Sequence, residues 1–309
     1  MPSMNISSIL RVYWLLELLV GFAYADRGTF TRNSDDQFQM LIAGGVIPDH
    51  SQYVKNVVSI RTLRHIQYYG DNHFCTGVIL GSRAILTAAH CVTDRHKSIM
   101  NPRGLLIVFG NSYRLNRFSR DDSRHVDKIL VHPKYRRYVN YDVAVMRLMD
   151  RIPGNMRLVQ PVVRRSHNDL IVGMRCVTLG WGQVYPHGPY ANEMMFLDVI
   201  IRTNDFCKDM DNFVPEANIC SEPSAEGQVC PGDLGAPLMC RNDLSGIIGG
   251  AQSCEGVTAI KFVNYSYVDD WVEDTVNAIS CSNSIWLSPF FYALHILTAV
   301  QAFGAKQCW

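Results

Sequence analysis

The sequence has little excess charge of either sign. Its 309 residues carry 29 lysines and arginines against 28 aspartates and glutamates, which leaves a net charge of +1, and only 18% of the residues are charged. Binding nucleic acid over a whole surface requires a large surplus of positive charge, so this balance excludes that class of protein. The chain also has no internal repeat or low-complexity stretch, which excludes a repeat architecture.

Cysteine pairs of the kind that bind zinc are missing as well. None of the ten cysteines belongs to a Cys-x-x-Cys pair or to a compact Cys/His cluster, so the sequence predicts no metal and no cofactor. All ten lie beyond residue 25, and an even number of cysteines in an exported chain indicates disulfide bonds.

The N-terminus has the pattern of a secretory signal. Arg11 precedes an apolar run that ends in Ala23-Tyr24-Ala25, a small-x-small cleavage site. We predict a signal peptide over residues 1–25 and therefore a secreted, extracellular protein. An uncleaved membrane anchor is the alternative, and the short apolar run argues against it.

Short apolar segments separated by Gly, Pro and Asn run through the middle of the chain. They lie at 78–80, 84–87, 105–109, 143–146 and 176–179, and their length and β-branched residues are typical of strands. One segment near the end, 268–279, instead repeats its apolar residues at helical spacing. The pattern predicts an all-β barrel or sandwich with one terminal helix.

Four motifs carry the chemistry. They are LTAAHC at 86–91, NYDVAV at 140–145, LGWG at 179–182 and CPGDLGAP at 230–237. In type and order they closely resemble the chymotrypsin-like (trypsin-type, S1) serine proteases. The resemblance implies two packed antiparallel six-stranded β-barrels with an active site between them and a C-terminal helix.

The resemblance also divides the chain. It implies a pro-like segment at 26–41 and a protease-homologue domain at 42–280, with barrels at about 42–155 and 156–267 and a helix at 268–279. A hydrophobic extension at 281–309 follows.

One member of the catalytic set is absent. The family uses a serine activated by a histidine that a buried carboxylate orients. The motifs assign the histidine to His90 and the carboxylate to Asp142, but the nucleophile position holds Leu234. The departures resemble the non-catalytic serine protease homologues common in insects, which implies an inactive binding or regulatory protein in an extracellular protease or signalling network. The alternative is an active serine-type endopeptidase with a non-standard nucleophile.

The rest of the site follows from the same resemblance. Gly232, Asp233 and Leu234 form the oxyanion-type turn, and Gln228 lies at the base of the specificity pocket. Counting back from Cys254 places Ile248 at the family's serine beside the carboxylate and Gly249 at its tryptophan. In the family, Asp233 pairs with an N-terminus made by cleavage; here Ile42-Ala43-Gly44-Gly45 matches that terminus, but no Arg or Lys directly precedes it.

The disulfide pairing is likewise implied by the resemblance. It joins Cys75 with Cys91, Cys176 with Cys240, Cys207 with Cys220, and Cys230 with Cys254. Cys281 and Cys308 have no counterpart in that pattern.

The apolar run at 285–303 allows three interpretations. It is long enough for a membrane span but contains Pro289, His295 and Gln301. A GPI signal and an amphipathic packing helix are the other two. Membrane association through this segment therefore stays open beside a packing or partner-binding helix.

Two surface features complete the predictions. Asn264 begins a glycosylation sequon, Asn264-Tyr265-Ser266. The segment 114–137 is rich in positive charge, and we predict a basic exosite for an acidic extracellular protein or an acidic glycan; its members are Arg114, Arg117, Arg120 and Arg124.

Overall fold

The computed structural model describes residues 52–281, except 118, 120, 138, 165–168, 225–226, 251–253 and 255–258. The predicted signal peptide, the pro-like segment, residues 282–309 and the side chain of Cys281 lie outside the described residues. Within the described part, no helix is both long and apolar enough to cross a bilayer. The question of membrane association rests on 285–303 and stays a prediction.

The first barrel is a closed six-stranded antiparallel sheet with the strand order β1-β2-β3-β6-β5-β4. Its strands are β1 Val57–Thr62, β2 His73–Gly81, β3 Ala84–Thr87, β4 Leu105–Phe109, β5 Ser123–Val131 and β6 Ala144–Leu148.

The second barrel closes in the order β11-β8-β9-β10-β13-β12 through pairing of β11 with β12, and the short β7 lies parallel to β12 outside this ring. Its strands are β7 Val163–Arg164, β8 Arg175–Gly180, β9 Met195–Ile201, β10 Asn218–Pro223, β11 Pro237–Cys240, β12 Asp243–Ile248 and β13 Ile260–Asn264. The two predicted six-stranded barrels are confirmed.

Strand β3 shows why the apolar runs of the sequence are unbroken rather than alternating. Ile85 points into the core of the first barrel, whereas Ala84 and Leu86 belong to a separate apolar cluster that lies between the barrels. Alternate side chains of a strand point to opposite faces, and here both faces are buried. The ends of such strands place the site residues at the junction of the barrels.

In the described part of the chain, two α-helices accompany the barrels, α1 Asn204–Cys207 and α2 Asp269–Cys281. The buried Val272, Val276 and Ile279 of α2 pack on the cluster between the barrels. Arg164 forms an ion pair with Glu273 of α2 and also donates to the carbonyl of Leu80 in the first barrel. The predicted terminal helix is confirmed. It packs on the cluster between the barrels, and its Glu273 holds the arginine that also bonds to the first barrel.

The four predicted disulfides are confirmed: Cys75–Cys91, Cys176–Cys240, Cys207–Cys220 and Cys230–Cys254. The first joins strand β2 to the turn that carries His90. Each bridge of this kind stabilises a folded protein by roughly 2–4 kcal/mol.

Candidate active site

The CPGDLGAP segment forms a tight turn at the barrel junction. Gly232 and Gly235 have φ angles of 102° and 85°, a region that side-chain-bearing residues rarely adopt. A Cβ atom on Gly235 would also overlap the carbonyl of Thr76 and the hydroxyl of Thr87. The glycines are therefore required by the backbone and by the close approach of strands β2 and β3.

Leu234 lies at the tip of this turn. Its side chain packs against the apolar cores of both barrels, and its carbonyl accepts a hydrogen bond of 2.9 Å from the backbone N–H of Thr76. A leucine side chain has no atom that can lose a proton or attack a carbonyl carbon. The turn thus carries a packing residue at the position where the motif resemblance predicts the nucleophile.

His90 and Asp142 are brought together as predicted. His90 lies in the single turn Ala89–Cys91 after β3, and Asp142 precedes β6. The Nδ1–H of His90 donates to Asp142 Oδ2 at 2.6 Å, and the His90 backbone N–H donates to Oδ1 at 2.8 Å. This contact fixes the imidazole in the orientation that a general base requires.

The carboxylate of Asp142 is charged although it is buried. Burial acts to raise its pKa, but the attraction and hydrogen bond of His90 and the N–H of Gly250, which donates to Oδ2 at 2.6 Å, bring the pKa below its ordinary value. The sequence carried no signal for Gly250, because a backbone donor does not depend on residue type.

The assignment of Ile248 beside Asp142 is wrong by one residue. Ile248 is buried in the second-barrel core, whereas a Cβ on Gly249 would lie 3.5 Å from Asp142 Oδ2. Gly249 therefore occupies the serine's place and Gly250 the tryptophan's. A count along the sequence does not show which residue approaches the Asp142 carboxylate, because the path of the folded chain decides it.

Gly249 and Gly250 have no side chains that could line the site. The Cγ2 of Val263 fills the space into which a Gly249 side chain would extend, at 2.5 Å from its ideal Cβ position. The methylene chain of Lys261 lies beside Gly250, and its ammonium donates to the carbonyl of Asp211. A lysine stem therefore borders the place where the family has an aromatic wall.

Asp233 points away from the cleft into the second barrel and is fully buried. Its Oδ1 accepts from the Gly182 N–H at 2.7 Å, and its Oδ2 accepts from the Cys230 N–H at 3.0 Å. Burial raises its pKa to about 7 in spite of these two donors. A Cβ on Gly180 or Gly182 would overlap the carboxylate, which explains both glycines of LGWG.

The turn is also tied to the first barrel through Gly232. Its carbonyl accepts from the Thr76 hydroxyl at 2.8 Å and from His73 Nε2–H at 3.2 Å, while His73 Nδ1 accepts from the Ser59 hydroxyl at 2.9 Å. Burial first, then two neighbouring arginines, hold the pKa of His73 well below its ordinary value, so it is neutral. Sequence reasoning missed this link, since no motif marks His73.

Gln228 is half-buried, directly before the Cys230 bridge. Its Oε1 is buried without a hydrogen-bond partner among the described residues. A neutral amide at this place offers no charge to a basic substrate side chain. Within the described residues no group of three His, Cys, Asp or Glu could hold a metal ion, and the absence of a metal and a cofactor stays a prediction.

The predicted basic exosite is wrong for Arg114. That side chain is only 4% exposed and donates to the carbonyls of Ala191 at 2.9 Å, Tyr190 at 3.0 Å and Gly70. The charge count along the segment could not show that backbone carbonyls from distant loops surround this guanidinium.

Arg117 and Arg124 differ from Arg114 in their environment. Arg117 is exposed, Arg124 donates to three nearby backbone carbonyls, and Arg120 lies outside the described residues. Asn264 is half-buried, and its Oδ1 accepts from the backbone N–H and hydroxyl of Ser266. Its modification stays a prediction.

Comparison with known proteins agrees with this geometry. The trypsin family model matches residues 49–272. The chain is 27% identical to trypsin zeta of Drosophila erecta, over 75% of this chain and 84% of that protein, and 25% identical to serine protease SP24D of Anopheles gambiae, over 76% and 81%.

A solved structure shares the fold. Neuropsin, a serine protease expressed in the limbic system of mouse brain, superposes with a TM-score of 0.61 at 24% identity, covering 75% of this chain and 98% of that one. With most of its length matched by the family model, the chain belongs to the trypsin family of chymotrypsin-like serine proteases.

Proposed function

We propose that this protein is a secreted, catalytically inactive member of the trypsin family that acts as a binding or regulatory protein in an extracellular protease or signalling network. The observation that carries the proposal is Leu234 on the nucleophile turn. In a protease of this chemistry, loss of the triad serine lowers kcat by about a million-fold.

The hydroxyl groups nearest the turn support the inactive state. The Thr76 hydroxyl donates to the carbonyl of Gly232 and the Thr87 hydroxyl to the carbonyl of Thr76, each at 2.8 Å. Both protons are therefore engaged by backbone oxygens. Ser245 is buried in strand β12, away from the turn.

A binding role is supported by what the fold retains. The His90–Asp142 contact, the glycine turn and the four disulfides keep the junction of the barrels in order without a nucleophile. A rigid, ordered cleft lowers the entropy lost when a partner binds. Secretion is supported by the N-terminal signal pattern together with the disulfides, which persist in oxidising compartments.

The alternative is an active serine-type endopeptidase with a non-standard nucleophile. Its support is the retained His90–Asp142 pair and the names of the relatives, which are proteases. It requires another nucleophile that can reach His90 in place of the triad serine.

The two functions are separated by labelling with a fluorophosphonate probe. The secreted protein, Leu234→Ser and Leu234→Ala are treated alike, and His90→Ala is the control that removes any cleft-dependent signal. We expect no label on the natural protein or on Leu234→Ala, and His90-dependent label on Leu234→Ser. Stoichiometric label on the natural protein that His90→Ala abolishes would establish the active enzyme.

A further inference from the structure

A basic groove opens on the first barrel, apart from the nucleophile turn. It has a volume of about 500 Å³ and lies between the turn at 94–98 and the hairpin segments at 133–137 and 139–141. It is lined by Lys97, Pro133, Lys134, Tyr135, Arg136, Val139, Asn140 and Tyr141. Neither His90, Asp142 nor Leu234 lines it.

The groove has positive charge and no negative charge. Lys97, Lys134 and Arg136 are all exposed, and no Asp or Glu lines the cavity. None of the three cations forms an ion pair within the described part of the chain. The carboxylate of Asp94, which is close to Lys97 in sequence, accepts from the backbone N–H groups of His96 and Ser98, both at 2.8 Å.

One wall of the groove is held by a chain of aromatic contacts. The Lys134 ammonium lies 5.6 Å from the centre of the Tyr141 ring. His132 stacks on Tyr141 at 4.4 Å, and Trp271 meets His132 edge-on at 4.8 Å. The Tyr141 hydroxyl donates to Tyr267 at 3.0 Å. A cation on a fixed aromatic wall loses little freedom when it binds an anion.

The backbone of the hairpin is already paired. Arg136 N–H donates to Asn140 O, Asn140 N–H and Val139 N–H donate to Arg136 O, and Tyr141 N–H donates to Asn140 Oδ1, at 2.7–3.1 Å. These N–H groups are therefore not available to an extended acidic peptide. A ligand with several anionic groups on sugar-like rings fits this groove better than an acidic peptide. Its anions match the cations, and the C–H groups of its rings match the aromatic wall.

We propose that this groove binds the sulfate groups of a sulfated polysaccharide. Its volume is in the range of pockets that enclose small ligands, so it would take a short saccharide segment rather than a whole chain. Sulfate stays ionised at physiological pH and accepts hydrogen bonds from Lys and Arg. The inference does not depend on whether the cleft is catalytic, because no residue of that machinery lines the groove.

The test measures affinity for a heparin decasaccharide. The groove variant is Lys97→Gln/Lys134→Gln/Arg136→Gln, and the matched control is Arg103→Gln/Arg157→Gln/Arg175→Gln, which removes three exposed charges elsewhere. We expect the groove variant to lose at least 30-fold in affinity and the control less than 3-fold. The negative slope of log K against log salt should become less steep by about 2 in the groove variant. Each cation that no longer contacts a sulfate no longer releases a counterion on binding.

Further arms identify the ligand chemistry and check the fold. Desulfated heparin should bind the natural protein at least 10-fold more weakly, and a poly-glutamate of equal charge should compete poorly. Lys97→Arg/Lys134→Arg keeps the charge and should bind within 3-fold of the natural protein, with an unchanged melting temperature in every variant. Equal losses in groove and control variants, equal binding of desulfated heparin, or equal competition by poly-glutamate would each overturn the proposal.

Discussion

The buried carboxylate of Asp233 allows the stability of the protein to be tied to pH. Its side chain is fully buried, and among the described residues its partners are two backbone N–H groups and no cation. Burial raises its pKa from an ordinary value of 3.8 to about 7. Between these values the native state keeps a proton that the unfolded chain has released, so the free energy of unfolding falls as the pH rises.

The size of the effect follows from the same two pKa values. Each pH unit well inside the window lowers the free energy of unfolding by about 1.4 kcal/mol, and the slope flattens near pH 7, which gives about 2 kcal/mol between pH 5 and pH 7 and about 3 kcal/mol by pH 8. Asp233→Asn removes the titration. The asparagine Oδ1 can still accept from the Gly182 N–H, but its Nδ2–H group faces the N–H of Cys230, and two donors cannot bond. At pH 5 we therefore expect Asp233→Asn to be about 1–3 kcal/mol less stable than the natural protein.

Guanidinium unfolding with the disulfides intact, at pH 5, 6, 7 and 8, measures the difference. The advantage of the natural protein over Asp233→Asn should shrink by about 3 kcal/mol and disappear or reverse at pH 8. Asp94→Asn is the control: backbone hydrogen bonds lower the pKa of Asp94, so its difference from the natural protein should stay flat over this range. A flat difference for Asp233→Asn as well would refute the reasoning, since it would mean that Asp233 is ionised and paired.

Three further predictions concern other residues. Leu234→Ser should react with a fluorophosphonate but hydrolyse peptides with kcat/KM below about 10² M⁻¹s⁻¹, whereas ordinary enzymes begin at about 10⁴ M⁻¹s⁻¹. The reason is that Gly249 and Gly250 present no side chains to a substrate. Efficient turnover in a peptide-library assay would contradict this prediction. Arg114→Ala should lower the free energy of unfolding by about 4 kcal/mol, because three carbonyls lose a charged donor, while the exposed Arg117→Ala should change it by less than about 0.5 kcal/mol. Similar losses for the two variants in urea titrations would show that the hydrogen bonds of Arg114 do not stabilise the fold. Mass spectrometry before and after endoglycosidase should show at most one N-glycan, at Asn264, and a second glycan would be inconsistent with a single usable sequon.

Much of the fold could be predicted because its signals are local. The apolar runs at 84–87 and 105–109 are observed as strands β3 and β4, and the helical spacing of Val272 and Val276 is observed in α2. The four disulfides followed from the family resemblance rather than from spacing. Where residue type and neighbourhood decide the structure, the sequence is sufficient.

The errors fall where distant chain segments decide the environment. Arg114 was counted as surface charge, yet loops at Gly70 and Tyr190 fold over it and accept its hydrogen bonds. Ile248 was placed beside Asp142, although that place belongs to Gly249. The basic groove joins Lys97 to Lys134 and Arg136 across more than thirty residues of chain. No local pattern contains this information.

The glycine turn around Leu234 connects the two barrels through hydrogen bonds that do not involve the side chain of residue 234. The first barrel reaches the turn through the Thr76 N–H, which donates to the Leu234 carbonyl, and through the Thr76 hydroxyl, which donates to the Gly232 carbonyl. The second barrel reaches it through Gly235, whose N–H donates to the Ile248 carbonyl at 2.8 Å. On the side of the turn these contacts are made by backbone groups that a change of side chain at position 234 would leave in place, whereas a side chain at Gly235 would overlap Thr76 and Thr87. The requirement for the glycine turn is thus structural, and it does not depend on whether residue 234 carries a reactive group.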